Sequence, residues 1–534
     1  MKMIAYHLDF KRAMWKNDYL ARFTERLKKW GYNALLLEME DKFRFAEHPA
    51  VSHGEAWGRA QTSAFAAKCR GRGMDVIPLM QSLGHLEFIV GKKEYAHLRE
   101  APDLAKHIDV TNPDAIPFLT KLYDEIIAVV RPEKYFHLGG DETWALGNSR
   151  RCAPLLRKFG RGGLYLRHMR PLWEHIHQRG LTPVIWADMV LSHPDILGKI
   201  PKYVALMDWN YWITNEREKS ILVWGGFGRG NRWFNLKNLN RRADRPFRRH
   251  LLKYALDRQT RRDKTFRAFY CADALHAKGF TVLTAPASRC AGDLIGIPLS
   301  SRHIPNCYYV ARRGVRGGKG TLVTSWAVRH NHPETNLPAA YAAVWGLKRK
   351  GDFDQRAFWK DYTAGMYGVD LPCFGEAVAF AEKGAGIPFL QAHILQNKVK
   401  TAGKKRCPLA KPLADFARAR GGRRATRIYL ESILEDYEKA AVMFRGFRRN
   451  ARRNAGNFDF WLEGIAVDGL LIRAALAVLK KSLPGERKAL ICALRRVRRQ
   501  TARLFAATYL PQSVQEELKV RYEVIAGSLG VWSR

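Results

Sequence analysis

The chain has 534 residues, of which 47% are hydrophobic, and this composition excludes an intrinsically disordered protein. Its length allows two or three domains with large cores. The formal net charge is +41, from 91 Lys and Arg against 50 Asp and Glu. Such a charge attracts polyanions, namely nucleic acid, anionic membrane surfaces or sulfated and sialylated glycans. A general bias toward arginine explains the charge equally well, because net charge determines association and not fold.

The cysteine pattern and the N-terminus bear on the cellular location. The eight cysteines are irregularly spaced and include no C-x-x-C pair, which argues against a disulfide framework or a zinc site and fits reduced thiols. The N-terminus contains no apolar stretch of signal-peptide length, and charged residues interrupt the apolar region 458–479. We therefore expect a cytoplasmic protein without a membrane span, and we predict no metal or cofactor.

Short apolar strands alternate with amphipathic helical segments over the first two thirds of the chain. The predicted strands are Met3–Asp9, Asn33–Glu38, Asp75–Met80, Tyr135–Gly139, Thr182–Ala187, Val204–Trp209, Thr281–Ala285 and Thr321–Trp326. Strands that alternate with helices form parallel sheets with crossover connections, and eight of them predict a (β/α)8 TIM barrel. We assign this α/β barrel to residues 1–347.

Two further regions are distinguished by their basic residues. Between the sixth and seventh strands, about residues 216–267, lies an arginine-rich insertion that predicts either a solvated loop or an anion-binding surface. From residue 348 to residue 534 the apolar pattern has helical spacing, so we expect a basic C-terminal α-helical domain. Its arginine runs contain too few aromatic side chains for base stacking, and nucleic acid is therefore not the expected partner.

The stretch after the fourth strand carries two adjacent carboxylates. It has the sequence HLGGDETW and contains Asp141 and Glu142. Active sites of TIM barrels lie at the C-terminal ends of the strands, which is the position of these acids. Neighbouring carboxylates repel each other, so their presence beside a pocket predicts catalysis with a separate role for each acid. The alternative is a turn with two solvated acids.

This stretch resembles a known signature. HLGGDE is similar to the His-x-Gly-Gly-Asp-Glu motif of the β-N-acetylhexosaminidases of glycoside hydrolase family 20. Further stretches that resemble the hexosaminidase D branch of that family are HLD at 7–9, LLLEMEDKF at 35–43, VIPLMQSLGHLEF at 76–88 and WADM at 186–189. The resemblance covers about residues 1–345, and the C-terminal helical region lies outside it.

The resemblance implies an exo-acting, retaining enzyme that removes terminal β-linked N-acetylgalactosamine or N-acetylglucosamine from a glycan or glycoconjugate. In this family the 2-acetamido oxygen of the substrate is the nucleophile. Glu142 would act as general acid and then as base, while Asp141 would hold the acetamido N–H and stabilise the oxazolinium intermediate. We expect the two acids to point to opposite faces of the strand end, and Gly139 and Gly140 to leave room for the sugar.

Other residues acquire roles by the same resemblance. His85 matches a family histidine that contacts the acid/base carboxylate, and Glu40 lies where the family has an acid that orients this histidine. A relay Glu40–His85–Glu142 is therefore predicted. The alternative for His85 is a buried core histidine, and His137 is expected to pack and hydrogen-bond inside the barrel.

Aromatic side chains at the later strand ends are expected to bind the sugar. The CH faces of a pyranose ring stack on flat apolar surfaces. The tryptophans expected to enclose the acetamido methyl group and the sugar face, with core packing as the alternative, are Trp186, Trp209 and Trp326. Asp208 or Tyr211 is expected to contact the acetamido group, because the stretch MDWNYW allows two alignments. Asp188 is either a structural acid or one that supports the site.

The sequence departs from the family pattern at two positions. Many family members have an Arg that holds the sugar hydroxyls where this chain has Ile4, and a Glu where it has Val328. Both changes affect hydroxyl recognition, so the choice between the two sugars stays open. Arg329 and the positive charge would favour an acidic glycan, for example one with a sulfate group. A catalytically silent carbohydrate- or polyanion-binding protein on the same barrel is the remaining alternative.

Overall fold

The computed structural model describes residues 2–224, 232–237, 248–391, 407–480 and 483–531. Eight strands form a parallel sheet, with bounds β1 Met3–Asp9, β2 Ala34–Glu38, β3 Asp75–Leu79, β4 Tyr135–His137, β5 Thr182–Trp186, β6 Ala205–Trp209, β7 Val282–Ala285 and β8 Gly320–Ser325. Each strand pairs with the next in sequence, and β8 pairs with β1 in the register Met3 opposite Gly320. The sheet is therefore closed, and the prediction of a (β/α)8 barrel is confirmed.

The strands form where the sequence has short apolar runs rather than alternating ones. Every residue of β2 and of β8 is buried, as expected for parallel strands that have side chains on one face and helices on the other. The predicted limits agree with the observed ones to within two residues. The largest difference is at β4, which ends at His137 because Gly139 and Gly140 have φ values of +63° and +81°. Left-handed backbone cannot continue a strand.

Helices connect and surround the strands. The longer ones in the first 347 residues are Asn17–Trp30, Arg59–Gly71, Ala115–Val130, Ala153–Gln178, Tyr270–Ala277, Ser300–Gly317 and Leu337–Leu347. Shorter ones are Glu87–Val90, Asp188–Ser192, Lys253–Ala255 and Arg258–Asp263. Single turns of 3-10 helix lie at Glu40–Lys42, Pro49–Val51, Ala96–Leu98, Pro194–Lys199, Ala327–Arg329 and Pro333–Asn336, and a π-helical turn lies at Arg248–Leu252.

The basic insertion is partly described. Its segments 225–231 and 238–247 lie outside the described residues. In the remainder, the strand Arg217–Glu218 pairs antiparallel with Phe266–Arg267, and Ile221–Val223 pairs antiparallel with Arg232–Phe234. A further short strand, Ala287–Arg289, pairs with the end of β8. The anion-binding role of the insertion stays a prediction.

The region after the barrel is helical, as predicted. Its helices are Gln355–Tyr367, Phe374–Ala381, Ala410–Ala419, Arg423–Asn450, Asn457–Lys480, Pro484–Phe505 and Pro511–Ser528, with 3-10 turns at Lys383–Gly386 and Pro388–Leu390. Among the described residues, no helix combines the length and the apolar character that a membrane crossing requires.

The chain folds as two compact units. The first contains Met1–Lys11, Thr24–Pro286 and Tyr308–Val323, and therefore nearly all of the barrel sheet. The second contains Arg12–Phe23, Ala287–Cys307 and Thr324–Arg534. The predicted boundary between residues 347 and 348 stays a prediction.

A buried ion pair lies in the core of the second unit. Arg521 is fully buried and donates hydrogen bonds to Glu463 Oε1 at 2.7 Å and to the Ile295 carbonyl at 2.9 Å. The Thr501 hydroxyl donates to the same Glu463 oxygen at 2.8 Å. A charge removed from water in this way depends on its partner, because loss of one partner leaves the other charge uncompensated.

We predict that Glu463→Gln destabilises the second unit by about 3–5 kcal/mol, since Arg521 then stays buried without the carboxylate to which it hydrogen-bonds. Urea unfolding followed by circular dichroism measures this loss as a lower midpoint. The control is Asp459→Asn in the same helix, which removes a solvent-exposed pair with Arg448 and is expected to have little effect. Equal midpoints for Glu463→Gln and the wild type contradict the prediction.

Candidate active site

The turn that follows β4 depends on two glycines. At Gly139, whose φ is +63°, a Cβ atom would lie 1.9 Å from Gln81 Oε1, and at Gly140, whose φ is +81°, it would lie 2.9 Å from the Tyr165 hydroxyl. The left-handed backbone favours glycine at both positions, and a larger residue would displace the Gln81 or Tyr165 side chain. Packing against the protein thus also favours these glycines. The expected room for a sugar stays a prediction.

His137 fixes this turn from inside the barrel. It is fully buried, and its Nδ1 accepts a hydrogen bond from the Gly139 amide at 3.0 Å. Its ring lies 4.4 Å from the ring of Trp186. Burial lowers the pKa of His137 to about 3, so the ring is neutral. The histidine packs and hydrogen-bonds inside the barrel as expected.

The two carboxylates after the turn converge on one imidazole. His85 Nε2 lies 3.5 Å from Asp141 Oδ2 and 3.5 Å from Glu142 Oε2. The Asp141 side chain is only 9% exposed, whereas that of Glu142 is 44% exposed. The expected divergence of the two acids to opposite faces of the strand end is thus not observed. They differ in accessibility instead.

The charges of this group are coupled through His85. Burial opposes a charged imidazole, but Asp141 and the hydrogen-bonding Glu142 outweigh it and raise the pKa of His85 to about 9. The ring is therefore an imidazolium at neutral pH. Burial also raises the pKa of Asp141, an effect that His85 opposes and Glu142 reinforces. One buried oxygen of Asp141, Oδ1, has no hydrogen-bond partner among the described residues.

His85 is brought close to the acids by the glycine that precedes it, Gly84. A Cβ atom at Gly84 would lie 3.0 Å from Thr143 Cγ2 and 3.1 Å from the Asp141 carbonyl oxygen. The loop after β3 therefore approaches the backbone of the loop after β4 more closely than a larger residue permits. The signal in the sequence was the Gly-His pair in SLGHLEF.

Three of the predicted site residues have left-handed backbone conformations. The φ values are +50° for Glu40, +56° for His85 and +50° for Glu142. Such conformations cost residues with a Cβ about 1–3 kcal/mol each and persist only where the surroundings enforce them. Their concentration at neighbouring strand ends is a mark of a functional site.

Asp188 connects the backbone of Glu142 to a tryptophan. Its Oδ2 accepts a hydrogen bond from the Glu142 amide at 2.9 Å, and its Oδ1 accepts one from the indole N–H of Trp209 at 3.3 Å. The residue is buried, and this burial, with the nearby Asp141, raises the pKa of Asp188. Of the two roles left open by the sequence, these contacts favour the supporting one.

Trp209 belongs to a cluster of aromatic rings at the end of β6. Its ring centroid lies 4.9 Å from that of Tyr211, 6.1 Å from that of Trp212 and 4.1 Å from that of Trp224. Trp209 and Tyr211 were predicted from the sequence, whereas Trp212 and Trp224 were not. Trp224 follows the insertion strand Ile221–Val223, so only the folded structure brings it to the cluster.

Glu40 contacts a lysine rather than the histidine it was expected to orient. Lys11 Nζ lies 3.2 Å from Glu40 Oε1 and 3.1 Å from Glu38 Oε1. Burial raises the pKa of Glu40 well above its ordinary value, although Lys11 opposes the shift. In the described part of the chain no hydrogen bond joins Glu40 to His85. The relay through Glu40 therefore stays a prediction without a direct contact.

One group of side chains has the composition of a metal site. His7, Asp9 and Glu38 are buried and offer ligand atoms within 4.8 Å of one another. His7 Nε2 already contacts Glu38 Oε2 at 2.9 Å, and the Lys11 ammonium contacts the other Glu38 oxygen. Burial opposes ionisation of Glu38, but Lys11 and His7 hold the pKa of Glu38 well below its usual range. The lysine thus supplies the positive charge that a metal ion would bring.

Three further predicted residues lie at the ends of β5, β6 and β8. Asp208 is directed at the helix Tyr270–Ala277, where it accepts a hydrogen bond from the Ala272 amide, and burial raises the pKa of Asp208 to about 7. Trp186 is fully buried behind the turn, and its amide donates to the Gly139 carbonyl at 3.1 Å. Trp326 is partly buried and lies in the second unit, directly after β8.

The chain resembles known proteins over its first part. Residues 6–223 match the family described as "Glycosyl hydrolase family 20, catalytic domain". Hexosaminidase D from Bos taurus is 27% identical over 226 residues, which cover 41% of this chain and 65% of that protein. Hexosaminidase D from Homo sapiens is 26% identical over 230 residues, which cover 42% of this chain and 47% of that protein.

A solved structure is also similar. It is the chitobiase of Flavobacterium johnsoniae, with 14% sequence identity and a TM-score of 0.49, and the match covers 97% of this chain and 77% of that one. The chain thus spans between about half and two thirds of the length of the two Hexosaminidase D proteins. The resemblance predicted from HLGGDE is confirmed, because residues 6–223 match the glycosyl hydrolase family 20 catalytic domain.

Proposed function

We propose that the chain is an exo-acting, retaining β-N-acetylhexosaminidase. It would hydrolyse terminal N-acetylgalactosamine or N-acetylglucosamine from a glycan or glycoconjugate by substrate-assisted catalysis. The observation that carries this proposal is the convergence of Asp141 and Glu142 on His85 at the C-terminal end of β4. Because Ile4 and Val328 replace residues that hold the sugar hydroxyls in many relatives, we make no choice between the two sugars.

The position of the acids favours a nucleophile that belongs to the substrate. A conventional retaining glycosidase needs a carboxylate on each side of the scissile bond, with the two groups about 5–5.5 Å apart. Asp141 and Glu142 are adjacent residues after one strand, and both contact the same imidazole, so we expect them to approach the sugar from one side. The carbonyl oxygen of the 2-acetamido group would then attack the anomeric carbon from the other side.

Glu142 would transfer the protons. In the first step it donates a proton to the glycosidic oxygen while the bond from this oxygen to the anomeric carbon breaks and the oxazolinium ring closes. In the second step the resulting carboxylate takes a proton from water, whose oxygen attacks the anomeric carbon and reopens the ring. A side chain that is 44% exposed has access to both the leaving group and the water. Two inversions at the anomeric carbon give net retention.

Asp141 would orient the acetamido group and stabilise its charge. Its buried Oδ1, which lacks a described hydrogen-bond partner, is suited to accept the acetamido N–H. This bond strengthens when the oxazolinium ring gains positive charge, so the carboxylate stabilises the transition state more than the ground state. His85 supports the negative charge of Asp141, which burial alone would suppress.

Two secondary proposals concern the cellular location of the protein and the meaning of its net positive charge. All eight cysteines lie in the described part of the chain without a disulfide, which supports a cytoplasmic location. The net charge of +41 supports an acidic glycan as substrate. The alternative function is a silent carbohydrate- or polyanion-binding protein, and the loss of the hydroxyl ligands at Ile4 and Val328 is the observation that favours it.

The first prediction from this proposal concerns turnover. The wild type is expected to release p-nitrophenol from the β-N-acetylglucosaminide, the β-N-acetylgalactosaminide or both, and Glu142→Gln is expected to reduce kcat/KM by about 10²–10⁴-fold. Glu94→Gln, an exposed change on the loop after β3, is the matched control and should retain activity. A folded wild type that cleaves neither glycoside contradicts the proposed enzyme and favours the silent binding protein.

A second prediction concerns Asp188 as a positioning residue. An amide group has one accepting oxygen, so Asp188→Asn presents an N–H to one of the two N–H donors that the carboxylate binds. Because a buried N–H that loses its acceptor costs about 1–3 kcal/mol, kcat is expected to fall about 10–100-fold, with a smaller change in KM. Asp195→Asn, an exposed change in the same segment, is the control. If kcat is unchanged in Asp188→Asn, Asp188 does not position Glu142.

A third prediction concerns the charge of His85. NMR of nitrogen-labelled histidine is expected to give this ring a pKa near 9. In Asp141→Asn/Glu142→Gln no acid opposes the effects of burial and of Lys11, so the pKa of His85 should fall below the unperturbed 6.5, which is about the unfolded-state value. Protonation of His85 therefore stabilises the fold fully below about pH 6.5, and this contribution is lost as the pH rises through 9. His85→Asn identifies the resonance, and an equal pKa in the double variant refutes the assignment.

A further inference from the structure

We propose that a groove between three helices of the C-terminal region binds an acidic amphipathic helix of a partner protein. The groove is lined by the helices Arg423–Asn450, Asn457–Lys480 and Pro484–Phe505, which are called the first, middle and third groove helices below. All three belong to the second unit. They lie outside the part of the chain that resembles family 20, so the inference does not depend on the proposed hexosaminidase activity.

The groove is long enough for a helix of several turns. Its volume is about 870 Å³. The middle groove helix forms its floor, on which the lining residues extend from Leu462 to Lys480, about 27 Å or about five helical turns. The first and third groove helices both pack against the middle one and form the walls. Short connections, 451–456 and 481–483, join the three helices, so neighbouring helices run antiparallel.

The lining residues have the spacing by which one helix packs along another. On the middle groove helix they include residues separated alternately by four and three positions, namely Leu462, Ala466, Gly469, Arg473, Leu476 and Lys480. A repeat of this kind is typical of the seam between two packed helices. Each groove helix also contributes a partly exposed alanine, namely Ala441, Ala466 and Ala493. Side chains of this size leave room for the larger side chains of an approaching helix.

Basic side chains outnumber acidic ones around the groove. The exposed charged residues that line it are the basic Arg445, Arg473, Lys480 and Arg496 and the acidic Glu438 and Glu486. Lys480 pairs with Glu431 at 2.9 Å, whereas in the described part of the chain no ion pair joins the three arginines to an acid. The third groove helix contains seven Lys and Arg against one Glu, which makes the potential around the groove more positive. Charge complementarity therefore requires an acidic occupant.

The positions of the basic residues distinguish an acidic helix from other occupants. Arg445 lies beside the N-terminal half of the middle groove helix, because the first groove helix runs antiparallel to it, whereas Lys480 ends the middle helix and Arg473 lies between. Positive charges spread along the groove match a row of carboxylates better than the single head group of a lipid. A second copy of this chain has the same net charge of +41 and is repelled. An acidic amphipathic helix, which binds a groove through its apolar face, fits both the spacing and the charge.

The test uses two synthetic peptides of the same composition. The first consists of three heptads with Leu at positions a and d and Glu at e and g, so that like charges prevent it from pairing with itself. The second has the same residues in scrambled order, and therefore the same charge without an apolar face. Binding of each fluorescein-labelled peptide to the full chain is measured by fluorescence anisotropy. We expect saturable binding of the first peptide, about tenfold tighter than that of the second.

Two pairs of variants locate the binding in the groove. Ala466→Leu fills the space at the middle groove helix and is expected to weaken binding about tenfold, whereas Ala425→Leu, the same change at an exposed alanine outside the groove, should not. Arg473→Glu is expected to weaken binding about 3–10-fold, and its control with the same change of charge is Arg499→Glu, exposed and outside the groove. Circular dichroism and the thermal midpoint establish that each variant is folded.

Several results would overturn the proposal. Equal binding of the two peptides, or equal affinities of Arg473→Glu and Arg499→Glu, means that the whole positive surface attracts any polyanion. A wild type that sediments as a dimer and an Ala466→Leu variant that sediments as a monomer assign the groove to a second copy of the chain. Oleate that binds the wild type but not Ala466→Leu, while neither peptide binds, assigns it to a lipid. Absence of binding by the acidic amphipathic peptide contradicts the proposal by itself.

Discussion

The attraction of one imidazolium for two carboxylates organises the candidate site. Asp141 and Glu142 are adjacent in sequence, and without a positive charge between them their repulsion and the burial of Asp141 would drive protonation of at least one. His85 lies 3.5 Å from both and has a pKa raised to about 9 by the same two acids. The arrangement is therefore mutual: each acid keeps the imidazole charged, and the imidazole reduces the repulsion between the two neighbouring acids.

This electrostatic group requires a particular backbone. Glu40, His85 and Glu142 each have a φ near +50°, a conformation that needs support from its surroundings. At Glu142 the support is a hydrogen bond from the backbone amide to the buried side chain of Asp188. At the preceding turn, His137 accepts a hydrogen bond from the Gly139 amide. Gly84 allows the loop that contains His85 to approach. The barrel thus supplies fixed strand ends, and short polar contacts between their loops determine the positions of the acids.

The sequence alone predicts those features of the structure that depend on residues close together in the chain. The eight strands are predicted correctly because buried parallel strands produce continuous apolar runs, and the acids are found because HLGGDE is a contiguous motif. Contacts between distant segments are not encoded in any short pattern. The pairing of Lys11 with Glu40, the hydrogen bond from Trp209 to Asp188 and the approach of Trp224 to Trp209 all required the fold. At β6 the stretch MDWNYW allowed two alignments, and the strand alternation directs Trp209 toward Asp188 and Asp208 toward the helix Tyr270–Ala277.

We propose that the acetamido oxygen of the substrate, rather than a protein carboxylate, attacks the anomeric carbon. The most direct test is to measure kcat/KM for p-nitrophenyl glycosides whose N-acetyl group carries zero, one, two or three fluorine atoms. Fluorine withdraws electrons from the carbonyl oxygen, so the account predicts that kcat/KM falls steeply with each fluorine added while the leaving group stays the same. A rate that is independent of fluorination would contradict the account, because the nucleophile would then be a group of the protein or water.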